Sequence, residues 1–180
     1  MIPNTWFSIE NLFLALILVV MLWRAIRVVL ARGWASLGWL SPLLGVFVAG
    51  YALLIWILTA PIWDLPPNRA LIILTFAFWS SLLISAALLF PDKSDPDADL
   101  DADFWQNKAI VLTIIGTTNL AAILLHYVFL SGEGRIGLGT AIAMAICSLC
   151  AFVGARAKTA GPVLIVLIGG LAALGSALLL

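Results

Sequence analysis

Leu12-Phe13-Leu14-Ala15-Leu16-Ile17-Leu18-Val19-Val20-Met21-Leu22 is apolar at every position, and bulky aliphatic at nearly all of them. Wound as a helix, the stretch has no polar face to offer water. Extended to its flanks, near residues 8–31, it is long enough to cross a bilayer, which takes roughly 20 apolar residues as a helix. Further runs follow near 37–60, 68–90, 105–130, 136–155 and 160–180. In hydrocarbon such a run satisfies its backbone N–H and C=O groups by becoming helical. The predicted fold is therefore all-α: one polytopic membrane helical bundle over residues 1–180, with about six transmembrane helices.

The composition agrees. Hydrophobic residues make up 64% of the chain, charged residues 10%, and the mean hydropathy is +1.17, beyond what a water-soluble domain of this size carries without aggregating. Basic and acidic residues balance at nine each and are scattered, so no groove recruits phosphates and nucleic acid is excluded as a partner. No Lys or Arg precedes the first run, which argues that it stays in the mature protein rather than being cleaved as a signal peptide. Two cysteines give no disulfide framework, and no glycosylation or prenylation motif is present.

Short punctuated gaps separate the runs: Arg32-Gly33, Pro61 with Pro66-Pro67, Pro91 through Pro96, Ser131-Gly132-Glu133-Gly134, and Arg156 through Pro162. Short connections make consecutive helices antiparallel neighbours. Basic residues near span ends accumulate on the cytoplasmic side. Placing the gaps after helices one, three and five there gives Arg24, Arg27, Arg32, Lys93, Lys108, Arg156 and Lys158 inside, against Arg69 and Arg135 outside. The expected location is a bacterial inner (cytoplasmic) membrane with both termini outside. Most tryptophans fall at span ends, as interfacial rings do; Trp79, inside helix three, is the exception.

Membrane helices associate through small residues that let backbones approach. Helix five carries the longest such stripe, Gly139, Ala143, Cys147, Ala151 and Ala155, at four-residue spacing. Helix one has none, so it is expected at the periphery, against lipid or another protein.

Chemistry-bearing residues are few. Arg24 and Arg27 lie near the end of helix one, where they can snorkel to headgroups, and Glu10 lies at its other end. Helix four is the most polar span, with Thr113, Thr117, Thr118, Asn119 and His126. Asn119 and His126, seven residues apart, share a face. Thr113, Thr117, Asn119 and His126 are thus candidates for a cavity lining or for a polar interface with a neighbouring helix. Cys147-Ser148-Leu149-Cys150 has dithiol spacing but lies in an apolar helix, which favours packing over redox or zinc chemistry.

The acidic segment 91–103 is expected as a cytoplasmic loop. It presents Asp95, Asp97, Asp99, Asp101 and Asp103 as a candidate surface for a basic partner or a weak divalent cation. Counted from Asp95 as an EF-hand, Leu100 stands where the turn needs Gly and Gln106 where a bidentate Glu belongs. Neither a resident metal nor a cofactor is implied.

Pro61-Ile62-Trp63-Asp64-Leu65-Pro66-Pro67 is similar to Pro/Trp-rich interhelical turns of several small membrane families, among them tryptophan-rich sensory proteins and the NnrU-like group. The likeness covers one turn, the histidine pattern of the second group is absent, and no family is assigned on it. Residues alone favour an accessory or assembly subunit that binds membrane partners through helix one or the acidic loop. A channel or carrier for a neutral or lipophilic solute, lined by helix four, is the alternative. An intramembrane enzyme ranks last, because no acid, base and nucleophile set can be placed.

Overall fold

The computed structural model describes residues 5–33, 39–59, 69–90, 100–129 and 136–179; of 5–8, 31–32, 69–71, 100–103, 129 and 178 it describes the backbone alone. All regular structure among them is helical: α1 (Thr5–Arg32), α2 (Leu40–Thr59), α3 (Arg69–Leu88), α4 (Leu100–Phe129), α5 (Leu138–Arg156) and α6 (Ala160–Leu179). Five are long and apolar enough to cross a membrane; in α3 the apolar stretch, Ile72–Leu88, is somewhat shorter. The chain is a membrane-spanning helical protein, and lipid is its surroundings.

Local chemistry sets the helix ends. Gly33 follows α1 with φ 81°, and its N–H reaches the Val29 carbonyl at 2.8 Å, a left-handed stop that glycine adopts without a Cβ clash. Pro42 and Pro162 fall in the first turns of α2 and α6, where a missing N–H costs nothing. α4 begins at Leu100, earlier than the start near 105 read from hydropathy. The backbone of Asp101 and Asp103, expected in the loop, therefore belongs to the first turn of α4.

Around the bundle the helices run in the order α1, α3, α4, α5, α6, α2, with α2 also touching α3 and α4 across the middle. Close approaches fix their directions. Cβ atoms built at Gly154 and Gly116 would meet Leu112 and Phe152, so α4 and α5 are antiparallel; Gly154 against Val166 and Gly169 against Cys150 make α5 and α6 antiparallel. Gly170 against Phe47 and Gly50 against Leu174 set α2 and α6 parallel. Ala143, Cys147 and Ala151 of the α5 stripe are buried, while Gly139 at its start is exposed. In α1, 17% of the apolar span is buried, against 33–44% in α2, α4, α5 and α6, which leaves α1 at the edge.

Two cations tie helices together at one end of the bundle, hereafter the Arg24 end. The Arg24 guanidinium donates to the carbonyls of Ala87 and, at 3.0 Å, Phe90, at the end of α3. Free snorkelling to headgroups is thus not its position: the last carbonyls of a helix lack intrahelical donors, and Arg24 supplies them. Lys108 of α4 performs the same service for the end of α5.

Candidate functional site

The expected helix-four lining separates into three environments. Thr113 and Thr117 are exposed on the outer surface, and the Thr117 hydroxyl donates back to the Thr113 carbonyl at 2.8 Å. A hydroxyl engaged with its own helix needs no further partner. Asn119 is fully buried and donates through Nδ2 to the Met144 carbonyl of α5 at 2.6 Å; among the described residues no donor reaches its Oδ1. Thr118, one residue earlier, accepts from the Tyr51 hydroxyl of α2 at 3.2 Å. These contacts hold α4 against α5 and α2.

His126 is the member of that set that meets a cavity. It lies 2% exposed in the last turn of α4, near the end of the bundle opposite Arg24. The cavity is walled by Glu10 of α1, Ile55, Leu58 and Thr59 of α2, Thr75, Phe78 and Trp79 of α3, and Ala122 and Leu125 beside His126. The space open to the centre of a water-sized sphere is about 20 Å³, enough for one or two waters.

Glu10, read from the sequence as a helix-end residue, is only 1% exposed. Its Oε2 accepts from the Thr59 hydroxyl at 2.8 Å, and the same hydroxyl lies 3.1 Å from the Trp56 carbonyl, so one proton serves two acceptors. One residue along, Asn11 Oδ1 accepts from the Trp56 indole N–H at 3.1 Å. The start of α1 is thereby bonded to the end of α2. Trp79, already out of place as an interfacial ring, is 1% exposed and stacks on Phe13 of α1 at 6.4 Å between centroids. Sequence reasoning missed Glu10, Thr59, Thr75 and Trp79 as a group. The available signal was that the sole acidic residue of helix one, the sole histidine and the misplaced tryptophan all fall within a few turns of the same bundle end.

Cys147 is buried and Cys150 partly buried, and both are free thiols. Among the described residues no three His, Cys, Asp or Glu side chains converge as a metal-binding group. Asp95, Asp97 and Asp99 lie outside the described residues, as do Trp34, Trp63 and the 61–67 turn; Asp101 and Asp103 are described by backbone alone. No protein-family model, no curated protein and no solved structure matches the chain.

Proposed function

We propose that the chain is an accessory or assembly subunit that holds a membrane partner on the outer side of α1. The observation that carries this reading is how little of α1 its own bundle encloses, 17% of its apolar span against 33–44% in α2, α4, α5 and α6. Along that open side Leu12, Leu16, Val19, Trp23, Ile26 and Leu30 are exposed and recur at alternating four- and three-residue steps. That is the heptad spacing by which two helices interlock at a shallow crossing angle, so the occupant is a single transmembrane helix. In this reading the acidic segment from Asp95 to Asp103 is a second contact, offered to basic residues on the cytoplasmic side of an inner membrane. The polar side chains placed above serve helix–helix ties, as suits a subunit whose work is assembly.

Photo-crosslinking amino acids placed singly at Val19, Trp23 and Ile26 in native membranes test it. A discrete adduct at these three positions, absent at Leu18 on the flank of the seam and at the exposed Ile165 of α6, is expected. Adducts without that periodicity, or none, would remove the reading.

The carrier reading draws on the cavity beside His126, Ala122 and Leu125, at the end of α4 rather than at mid-depth. Solute flux in proteoliposomes that Ala122→Trp abolishes would belong to it and not to the subunit reading.

A further inference from the structure

Glu10 and His126 lie 116 residues apart in the sequence, on helices that do not pack extensively on one another: α1 packs on α3 and α2, and α4 on α5, α3 and α2. Both are almost wholly buried, at 1% and 2% exposure, and both face the same cavity. Isolated ionised groups inside a membrane bundle are costly, and they persist where opposite charge or hydrogen bonding answers them. A carboxyl and an imidazole that line one water-sized cavity have the complementary chemistry for this.

We propose that Glu10 and His126 form one proton-binding site, hydrated through the cavity they share and lying near the bundle end where α2 finishes at Thr59. With one proton between them the pair is net neutral, as carboxylate with imidazolium. Binding a second proton at the Glu10 carboxylate leaves the site at net +1; releasing the His126 proton to water leaves it at net −1. Apolar walls disfavour both charged states, and the pair binds and releases the proton as a unit. Of the wall residues contributed by all four helices, Glu10 and His126 are the two that titrate; Thr59 and Thr75 add hydroxyls, and Phe78, Trp79, Ile55, Leu58, Ala122 and Leu125 are not ionisable in this range. Tyr127, next to His126, is exposed on the other side of α4. Arg24 and Lys108 are committed to carbonyls at the far end. The site goes beyond the partner reading and stands whether or not α1 seats a helix.

Histidine occurs once in the 180 residues, so ¹⁵N-histidine labelling reports His126 alone. Solid-state NMR of the full chain in lipid bilayers at pH 7 is expected to show both ring nitrogens protonated in the wild type. Glu10→Gln, which keeps the shape and a hydrogen-bond acceptor but removes the charge, is expected to leave one protonated nitrogen at the same pH. Thr59→Val keeps the carboxylate and is expected to keep the imidazolium, which separates loss of the counter-charge from general loosening of α1 against α2. A neutral imidazole in the wild type at pH 7 overturns the proposal without any variant having to fold, and an imidazolium that survives Glu10→Gln overturns it equally.

Discussion

Lys108 Nζ, two turns into α4, donates to the carbonyl oxygen of Ala157 just past the end of α5, at 2.7 Å. Its other two N–H groups reach the carbonyls of Gly154 at 3.1 Å and Ala155 at 3.3 Å. All three donors of the ammonium are thus engaged by the C-terminal end of one helix, and the charge also sits 4.9 Å from the centroid of the Trp105 ring. A cation at a helix C-terminus meets both the unpaired carbonyls and the negative end of the dipole. The side chain is 3% exposed, so its stem fills space as well.

Lys108→Met keeps the stem and removes the donors. Hydrogen bonds to a charged group contribute about 1.5–3 kcal/mol each before shared losses, and the carbonyls near the interface recover part of that from water. A net destabilisation of about 1–3 kcal/mol is expected, measured as a lower melting temperature by circular dichroism in detergent. Lys108→Arg restores the charge with a different geometry and should recover part of the loss. A methionine variant as stable as the parent would show that the α5 end does not need its cap.

Two glycines of α6 should respond in opposite directions to the same change. A Cβ at Gly170 would lie 2.6 Å from Cε2 of Phe47, a ring that is itself 1% exposed and cannot swing away. Gly170→Ala therefore separates α6 from α2, at about 1–3 kcal/mol, the usual cost of overpacking. A Cβ at Gly175 would meet nothing within 4 Å beyond its own stretch of helix, and alanine there removes only backbone freedom from the unfolded chain. Gly175→Ala should be neutral or stabilising by up to about 1 kcal/mol. Thermal unfolding of both variants in one detergent checks the pair, and a shared direction would contradict the packing described here.

That contrast also marks what could be read from the residues alone. The six helices follow from run length and apolarity, because hydrocarbon leaves the backbone few alternatives. The four-residue spacing of Ala143, Cys147 and Ala151 places them on one face, and all three are buried. Which side of a helix faces lipid was harder to see: lipid and protein interior are both apolar, so periodicity does not separate them. Thr113 and Thr117 illustrate the difficulty, since a threonine that bonds its own helix can sit against lipid as easily as in a cavity. Glu10, Arg24 and Lys108 looked like end-of-helix charges. Their partners are carbonyls, hydroxyls and cavity walls on helices distant in sequence, which no local pattern encodes.

Helix α5 supplies a test of the small-residue packing. Ala143 is 6% exposed, and leucine there would add side-chain atoms to a contact already closed. Ala143→Leu should cost about 1–3 kcal/mol or prevent folding. Leu18 on α1 is 38% exposed, and Leu18→Ala should stay within about 0.5 kcal/mol of the parent, as exposed substitutions do. Yield of monodisperse protein on size exclusion, with unfolding temperature, distinguishes them; equal effects would remove the argument from α5 to close packing.

Asn119 joins the packing question to the functional one. Its amide donates to the Met144 carbonyl, which also accepts from the Ser148 hydroxyl at 3.1 Å, so deleting the amide leaves that carbonyl with one donor still in place. Interhelical hydrogen bonds in membranes average about 0.6 kcal/mol, with a maximum near 1.7, so Asn119→Ala should destabilise the bundle by about that much and no more. Asn119→Leu, which fills the volume and also removes the Oδ1 left without a donor among the described residues, should be milder than alanine. Were Asn119 instead the lining of a solute path, both variants would abolish flux in proteoliposomes while leaving unfolding unchanged. Stability lost without a change in any transport readout is the outcome expected of a helix-to-helix tie.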